Sequence, residues 1–232
     1  MILRRILAGS LLAGILLTAF SGCGAQNPYK FRAKVTVFVD TPDGVRSGSS
    51  VYEVWANYSY PGTTRRIWGQ RGEAVAVDLP NGQTLFALLT TGAIHGDVAS
   101  MVLATLDPEF NNTMVESTQK LVEYQFSETR AVALQNYPML VTFENLADPT
   151  SVNPVKPDDL AKNFGPQYQM KAITVEVTDE PVTVGIEKRL GWLEAVGRER
   201  STLIPNPPKY LDEIIDPVQQ VTSGYFSTEL YK

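Results

Sequence analysis

The chain has 232 residues, and its 20 Lys and Arg against 25 Asp and Glu give a net charge of −5 at neutral pH. An acidic chain is a poor partner for nucleic acid or for anionic lipid headgroups, because both attract basic surfaces. One cysteine excludes an internal disulfide, and one histidine leaves too few ligands for an ordinary zinc site. The hydrophobic share of 44% is enough, at this length, for the core of one domain or two small ones.

The first residues have the layout of an export signal. Arg4 and Arg5 precede an uncharged apolar run over 6–20, and the small residues Ser21 and Gly22 follow it. As a helix, the run of fifteen residues would span roughly 22 Å, which is shorter than the ~30 Å hydrocarbon core of a bilayer. The layout therefore favours a signal peptide. An uncleaved membrane anchor stays open as an alternative.

The stretch Phe20-Ser21-Gly22-Cys23 resembles the lipobox of bacterial lipoproteins, although that family usually has Leu where this chain has Phe20. The resemblance implies that Cys23 is the lipid attachment site and that residues 1–22 are removed. It also implies that acyl chains such as palmitate hold the protein on a membrane, with 23–28 as a short tether. An ordinary secretory signal with a chance cysteine is the alternative.

The same resemblance implies a location. A lipoprotein of this kind sits in the bacterial cell envelope, on the periplasmic side of its membrane. In Gram-negative cells the family's sorting rule favours the outer membrane, because the residue after the cysteine is Gly24 rather than Asp.

The first folded element is predicted to be a β-hairpin. Apolar and polar residues alternate over 31–40, which is the period of a half-buried strand. Residues 41–44, Thr-Pro-Asp-Gly, form a turn, and 45–60 returns as the second strand. A register that pairs Asp40 with Val45 puts the charged residues on one face and the apolar residues on the other.

A second hairpin follows over 73–79 and 84–91, around Pro80-Asn81-Gly82. Asn-Gly between two apolar runs is a strong hairpin signal. The returning strand is apolar on both faces, so we expect it to lie in the centre of a sheet.

The remaining elements mix helices with strands. We predict a helix over 98–106 capped by Asp97, strands over 139–143 and 170–177, and a helix over 184–196. Two further segments are less defined: 117–126 is a short helix or a strand, and Pro157-Asp158-Asp159-Leu160 opens a short helix with carboxylates at its positive end. The proline-bearing segment 147–157 is a surface loop or a division between two lobes.

This order of elements predicts an α+β fold. Its sheet is largely antiparallel and built from the N-terminal hairpins, with a few helices packed on it. Residues 29–232 would form a single domain.

Few residues in the chain have a pattern typical of catalysis. His95 is the sole candidate base for a serine triad, but no G-x-S-x-G motif accompanies it. Asp158-Asp159 and Asp179-Glu180 are sequence neighbours, which do not converge on one bond as glycosidase carboxylates do. Helix capping and turn formation are the expected roles of these two pairs. No glycine motif for phosphates or dinucleotides is present, so we expect no cofactor. We expect no metal site, because metal sites normally assemble several His, Cys or carboxylate ligands and the chain has one His and one Cys.

Aromatic residues point to a binding face. Phe38 and Trp55 share strand parity with polar residues, so they are a candidate platform for a sugar or a partner protein. The interpretation that the sequence favours, however, is that one of the later helices covers them. Arg65 and Arg66, beside Ile67 and Trp68, are an anion site or a solvated loop.

Residues 179–190, Asp-Glu-Pro-Val-Thr followed by Val-Gly-Ile-Glu-Lys-Arg-Leu, resemble uncharacterised proteobacterial envelope proteins, and the resemblance implies no activity. The sequence as a whole favours a membrane-anchored binding or structural module over an enzyme. Its partner would be a protein or an envelope glycan. A carboxylate-based envelope hydrolase is the alternative.

Overall fold

The computed structural model describes residues 28–59, 65–91, 96–111, 113–124, 126, 128–199, 201–205 and 217–231. The predicted signal peptide, Cys23 and nearly all of the tether lie outside the described residues, as does His95. Within the described ranges the chain forms two antiparallel sheets of five and four strands together with four α-helices, which confirms the predicted α+β class.

The five-stranded sheet, sheet 1, has the order β3-β2-β1-β9-β6, and the four-stranded sheet, sheet 2, has the order β4-β5-β7-β8. The strands of sheet 1 are β1 Tyr29–Thr41, β2 Gly44–Tyr58, β3 Arg66–Arg71, β6 Arg130–Ala131 and β9 Gln169–Val177. Those of sheet 2 are β4 Val75–Asp78, β5 Thr84–Ala87, β7 Leu140–Phe143 and β8 Val152–Val155. The helices are α1 Val98–Leu106, α2 Met114–Glu123, α3 Ala161–Phe164 and α4 Leu193–Glu199.

The first hairpin has the predicted register. Asp40 lies opposite Val45, and Arg32 lies opposite Glu53. At the turn, the Thr41 hydroxyl donates to the carbonyl oxygen of Gly44 at 2.7 Å, and Gly44 takes a φ of +99° that favours glycine. Turn chemistry and the period-two pattern therefore agree on one pairing.

The second hairpin is also confirmed, with Val75–Asp78 antiparallel to Thr84–Ala87. All four residues of β5 are buried, and β5 lies between β4 and β7. Its two faces serve two cores: Leu85 and Ala87 face the first, and Phe86 faces the second.

The first core lies between sheet 1 and a layer made of sheet 2, α1 and α2. The second core lies on the far side of sheet 2, where the C-terminal part of the chain covers it. The rings of Phe86 and Phe143 pack edge-on at 5.7 Å, and Trp192 and Phe226 at 5.8 Å. Edge-to-face contacts of this kind add to the stabilisation from burying the rings.

The predicted helix over 98–106 is confirmed, and the Asp97 carboxylate accepts from the Ser100 N–H at 2.7 Å. Strand predictions over 139–143 and 170–177 are confirmed by β7 and β9. The undecided segment 117–126 is helical through Glu123, as part of α2.

Three sequence-based expectations need correction. Residues 147–157 are not a continuous loop or linker, because they contain β8. This strand lies at the edge of sheet 2, a position that tolerates Pro154. The predicted helix over 184–196 is two elements, a 310 turn over Ile186–Lys188 and α4, although Leu190 and Leu193 are buried as expected. The short helix predicted to open at 157–160 is α3, which begins at Ala161. Asp158 and Asp159 therefore precede it and do not cap it.

Candidate functional site

Phe38 and Trp55 lie on the same face of sheet 1, the face turned away from the first core, and both are half-buried. They are at opposite ends of it. Trp55 pairs across the sheet with Lys30, which is eight residues along β1 from Phe38, or about 27 Å at 3.4 Å per residue. The structure therefore does not bring them together into one aromatic platform.

Trp55 packs on the backbone of the neighbouring strand. Its cross-strand partner is Gly69, and a Cβ added there would stand 2.5 Å from Cζ2 of the indole. The expected coverage by a later helix is wrong for the described residues, because the buried residues of α1, α2 and α3 join the first core and Leu193 of α4 joins the second. The contact of Trp55 with Gly69 therefore accounts for a Trp on this otherwise polar face.

Residues 178–183, which we call the strap, cross the middle of the face of sheet 1 that is turned away from the first core. Arg32 donates to the carbonyl oxygen of Asp179 at 3.0 Å, and Lys34 pairs with Glu180 at 2.7 Å. At the far end, the Thr183 N–H donates to the Val51 carbonyl oxygen at 3.1 Å. The Asp179-Glu180 pair thus fastens the strap over β1. It does not form a catalytic pair.

Beyond the strap, sheet 1 presents a flat surface that we call the open face. Phe38 lies there between Ser47 on β2 and Ala172 on β9, and Thr36 lies between Ser49 and Thr174. These side chains are half-buried or exposed. The open face therefore combines hydroxyl groups with one aromatic ring.

A groove of about 550 Å³ adjoins the open face at the edge of β2. Its walls come from three places: Ser49 on β2, the start of β4, and the turn that follows the strap. This volume lies within the range of small-ligand and peptide sites. The lining residues are Ser49, Glu73, Ala74, Ala76, Val184, Gly185, Ile186, Lys188 and Arg189.

Glu73 is the buried polar residue of the groove, with 8% of its surface exposed. Its carboxylate accepts from the Ile186 N–H at 2.8 Å, and its carbonyl oxygen accepts from the Ser50 hydroxyl at 2.7 Å. Burial raises the pKa of Glu73, and the nearby charge of Glu187 adds to the rise, while the hydrogen bond from Ile186 opposes it. Glu73 therefore ties the groove's turn to the start of sheet 2.

The two cations of the groove differ in their surroundings. Arg189 makes a two-armed pair with Asp78, in which Nη2 lies 2.8 Å from Oδ2, and the hydrogen bond from Arg189 lowers the pKa of Asp78. Lys188 is exposed and has no ion pair within the described residues. It is thus available to an anionic group.

Neither a protein-family model nor a curated protein nor a solved structure matches this chain.

The groove is not arranged as a carboxylate hydrolase site. Among its lining residues within the described ranges, Glu73 is the only carboxylate, whereas glycosidase chemistry needs two that face each other. In the described part of the chain, no three His, Cys, Asp or Glu side chains converge into a set that could hold a metal ion.

The cluster around Trp68 has structural partners. Arg66 pairs with Glu116 at 2.7 Å, and the Trp68 indole N–H donates to Asp97 at 3.2 Å. These contacts tie β3 to α1 and α2. Of the two interpretations of Arg65 and Arg66, an anion site or a solvated loop, the anion site is therefore filled at Arg66 by a carboxylate of the protein itself.

Sequence reasoning missed Glu73 and Lys188. Glu73 lies just before an apolar strand, and its hydrogen-bond partner Ile186 is 113 residues away in sequence. No local sequence pattern predicts a contact between such distant residues. The sequence offers only the neighbouring Gly72 as a sign of unusual backbone there, and the structure gives that glycine a φ of +148°. Lys188 stands out in the sequence only as part of the stretch 179–190.

We expect Glu73→Gln to reduce the pH dependence of stability. The folded protein raises the pKa of Glu73, so its contribution to the free energy of unfolding is present at low pH and is lost as pH rises through the folded-state pKa. Urea unfolding followed by Trp fluorescence between pH 4 and pH 7 measures the loss. Glu187→Gln should move the loss to lower pH, because it removes a charge that raises the Glu73 pKa. An unchanged profile in Glu73→Gln would contradict the assignment.

Proposed function

We propose that the chain is a membrane-anchored lipoprotein of the bacterial envelope that binds a partner protein through the groove beside β2. The observation that carries the proposal is the groove itself, which has a free cation, Lys188, and a wall made by a strand edge. A wall of this kind suits a polypeptide ligand, because the main-chain N–H and C=O groups of a strand edge can form hydrogen bonds with the main chain of the ligand.

Two other ligand classes fit the groove less well. Glycan sites stack sugar rings on aromatic side chains, and none of the described residues that line this groove is aromatic. A carboxylate-based hydrolase acting on glycan would need a second carboxylate opposite Glu73. An envelope glycan is therefore a candidate ligand for the open face, where Phe38 supplies an aromatic ring.

The anchor half of the proposal rests on the Phe20-Ser21-Gly22-Cys23 stretch and on the charge-free run before it. Acyl chains on Cys23 would hold the protein firmly, since each buried methylene contributes about 0.8 kcal/mol and two or more chains act together. With 23–28 as tether, the groove would stay close to the membrane surface.

The binding half is tested in living cells by photo-crosslinking. A benzophenone amino acid replaces Ser49 in the groove or, as a matched control, Tyr124, which is 76% exposed at the end of α2. We expect a discrete protein adduct from position 49 and none from position 124. Adducts from 124 alone, or none from either position, would refute the proposed groove.

The anchor is tested on the same strain by feeding an alkyne-tagged fatty acid. The wild-type chain should take up the label and sediment with membranes, and Cys23→Ser should lose the label. Equal labelling of both proteins, or membrane attachment of an unlabelled wild type, would contradict lipidation at Cys23.

A further inference from the structure

The edge of β2 next to the groove has unpaired main-chain groups. In the β1–β2 pairing, Val51 directs its N–H and C=O away from β1, where Thr183 meets both of them. Strand geometry alternates, so Val45, Ser47 and Ser49 direct theirs the same way. Within the described residues none of these groups has a hydrogen-bond partner, because β3 reaches only as far as Glu53.

This edge has few of the features that normally protect one. Exposed strand edges are usually blocked by prolines, by lysines or by a covering segment. Residues 45–49 read Val-Arg-Ser-Gly-Ser, with one charge and no proline, and the strap reaches β2 only at Val51. All but Gly48 are exposed.

The groove leaves room for one more strand beside this edge. Ser49 belongs to both the edge and the groove, so a segment paired with β2 would run into the groove toward the turn at 184–189. The free edge from Val45 to Ser49 spans about 14 Å at 3.4 Å per residue, so five residues of an extended chain would cover it.

Charge decides what the added segment carries. Lys188 is exposed and has no ion pair in the described part of the chain, and Arg189 is already paired with Asp78. The Glu73 carboxylate is buried against the Ile186 N–H and so does not face an added segment. An acidic side chain is thus the matching group. A second copy of β2 would bring Arg46, the only charge on this edge, toward Lys188, and like charges repel.

We propose that the groove binds an extended, acidic segment of a partner protein as an additional strand on the β2 edge. This inference rests on the proposed function and specifies its ligand. Main-chain hydrogen bonds to Val45, Ser47 and Ser49 hold the segment, and Lys188 pairs with its carboxylate.

The probe is a library of random ten-residue linear peptides displayed on phage and selected on the full-length protein in nanodiscs, with empty nanodiscs as the blank. The expected winners are rich in β-branched residues and contain Asp or Glu. Their affinity is then measured on S47P/S49P, which removes two outward N–H groups, and on S47A/S49A, which keeps them.

We expect S47P/S49P to bind the selected peptides at least tenfold more weakly than S47A/S49A does, and Lys188→Glu to weaken acidic peptides about tenfold. Equal affinities of the Pro and Ala variants would overturn strand addition. No enrichment over the blank would do the same. A concentration-dependent dimer in sedimentation that the Pro variant abolishes would make a second copy the occupant and so overturn the acidic segment.

A measurement on the wild type covers the case in which the Pro variant does not fold. Hydrogen exchange by NMR should show the amides of Val45, Ser47 and Ser49 slowed at least tenfold by a bound peptide. Arg46 and Gly48, which already bond to β1, should change little. No slowing at the three outward amides would refute the inference. A crosslinked partner at position 49 would still support the proposed function, whereas no adduct there would count against the function itself.

Discussion

Gly48→Ala is expected to destabilise the fold by about 3 kcal/mol or more, which is the upper part of the range for overpacked sites. A Cβ at position 48 would lie 2.0 Å from the carbonyl oxygen of Ala76 and 2.8 Å from its carbonyl carbon. Both are backbone atoms of β4, so no side chain can turn away to relieve the clash. The two sheets would have to separate where β2 crosses β4.

Urea unfolding of the detergent-solubilised protein, followed by Trp fluorescence, measures the effect. Gly191→Ala is the matched control, because nothing lies within 4 Å of the added methyl and its φ is not positive. That control should be neutral or gain up to about 1 kcal/mol from a stiffer unfolded chain. If both variants unfold at the same urea concentration, β2 and β4 do not cross as closely as described.

Asp107→Asn is expected to lower the free energy of unfolding by about 2–3 kcal/mol at neutral pH, the cost of removing hydrogen bonds to a charged group. The Asp107 side chain, 4% exposed, accepts from Lys120 at 2.8 Å and from the Ser117 hydroxyl at 2.8 Å, which ties the end of α1 to α2. An Asn amide keeps one acceptor and turns its NH₂ toward groups that are also donors.

The pH dependence of this difference has a definite sign. Burial alone raises the pKa of Asp107, but hydrogen bonds from Lys120 and Ser117 outweigh it, so the net pKa is lowered. A lowered pKa stabilises the fold above the ordinary Asp pKa of about 4, and that contribution disappears as pH falls through the folded-state value. The gap between wild type and Asp107→Asn should therefore narrow below about pH 4.

Glu109→Gln is the control for the same ion pair. Glu109 also lies 2.8 Å from Lys120, but its side chain is 84% exposed, and exposed pairs contribute little. We expect a change of no more than about 0.5 kcal/mol. A larger loss in Glu109→Gln than in Asp107→Asn would show that the buried carboxylate does not hold α1 to α2.

Local patterns predicted the parts of the fold whose partners are close in sequence. The β1–β2 register followed from alternation and from Thr41–Gly44, and the start of α1 followed from Asp97. Contacts between distant segments had no such signal. The pairing of β1 with β9, the crossing at Gly48 and the link from Glu73 to Ile186 all join residues that no periodicity relates.

The candidate site was predictable only in part. Strand parity correctly placed Phe38 and Trp55 on one face, and the hairpin register already separates them along β1. The contact of Trp55 with Gly69 needed the position of β3, which local pattern did not define. The groove needed the tertiary fold, because its lining combines residues from 49 to 189.

The strap and β9 have a consequence for how the chain folds. The second neighbour of β1 is β9, and Arg32 contacts Asp179 across 147 residues of sequence. Contacts between such distant residues slow folding, because loop-closure entropy is lost before the contacts are gained. Sheet 1 therefore cannot be completed until residues 169–183 have been synthesised. Until then we expect β1 to be paired with β2 but not with β9.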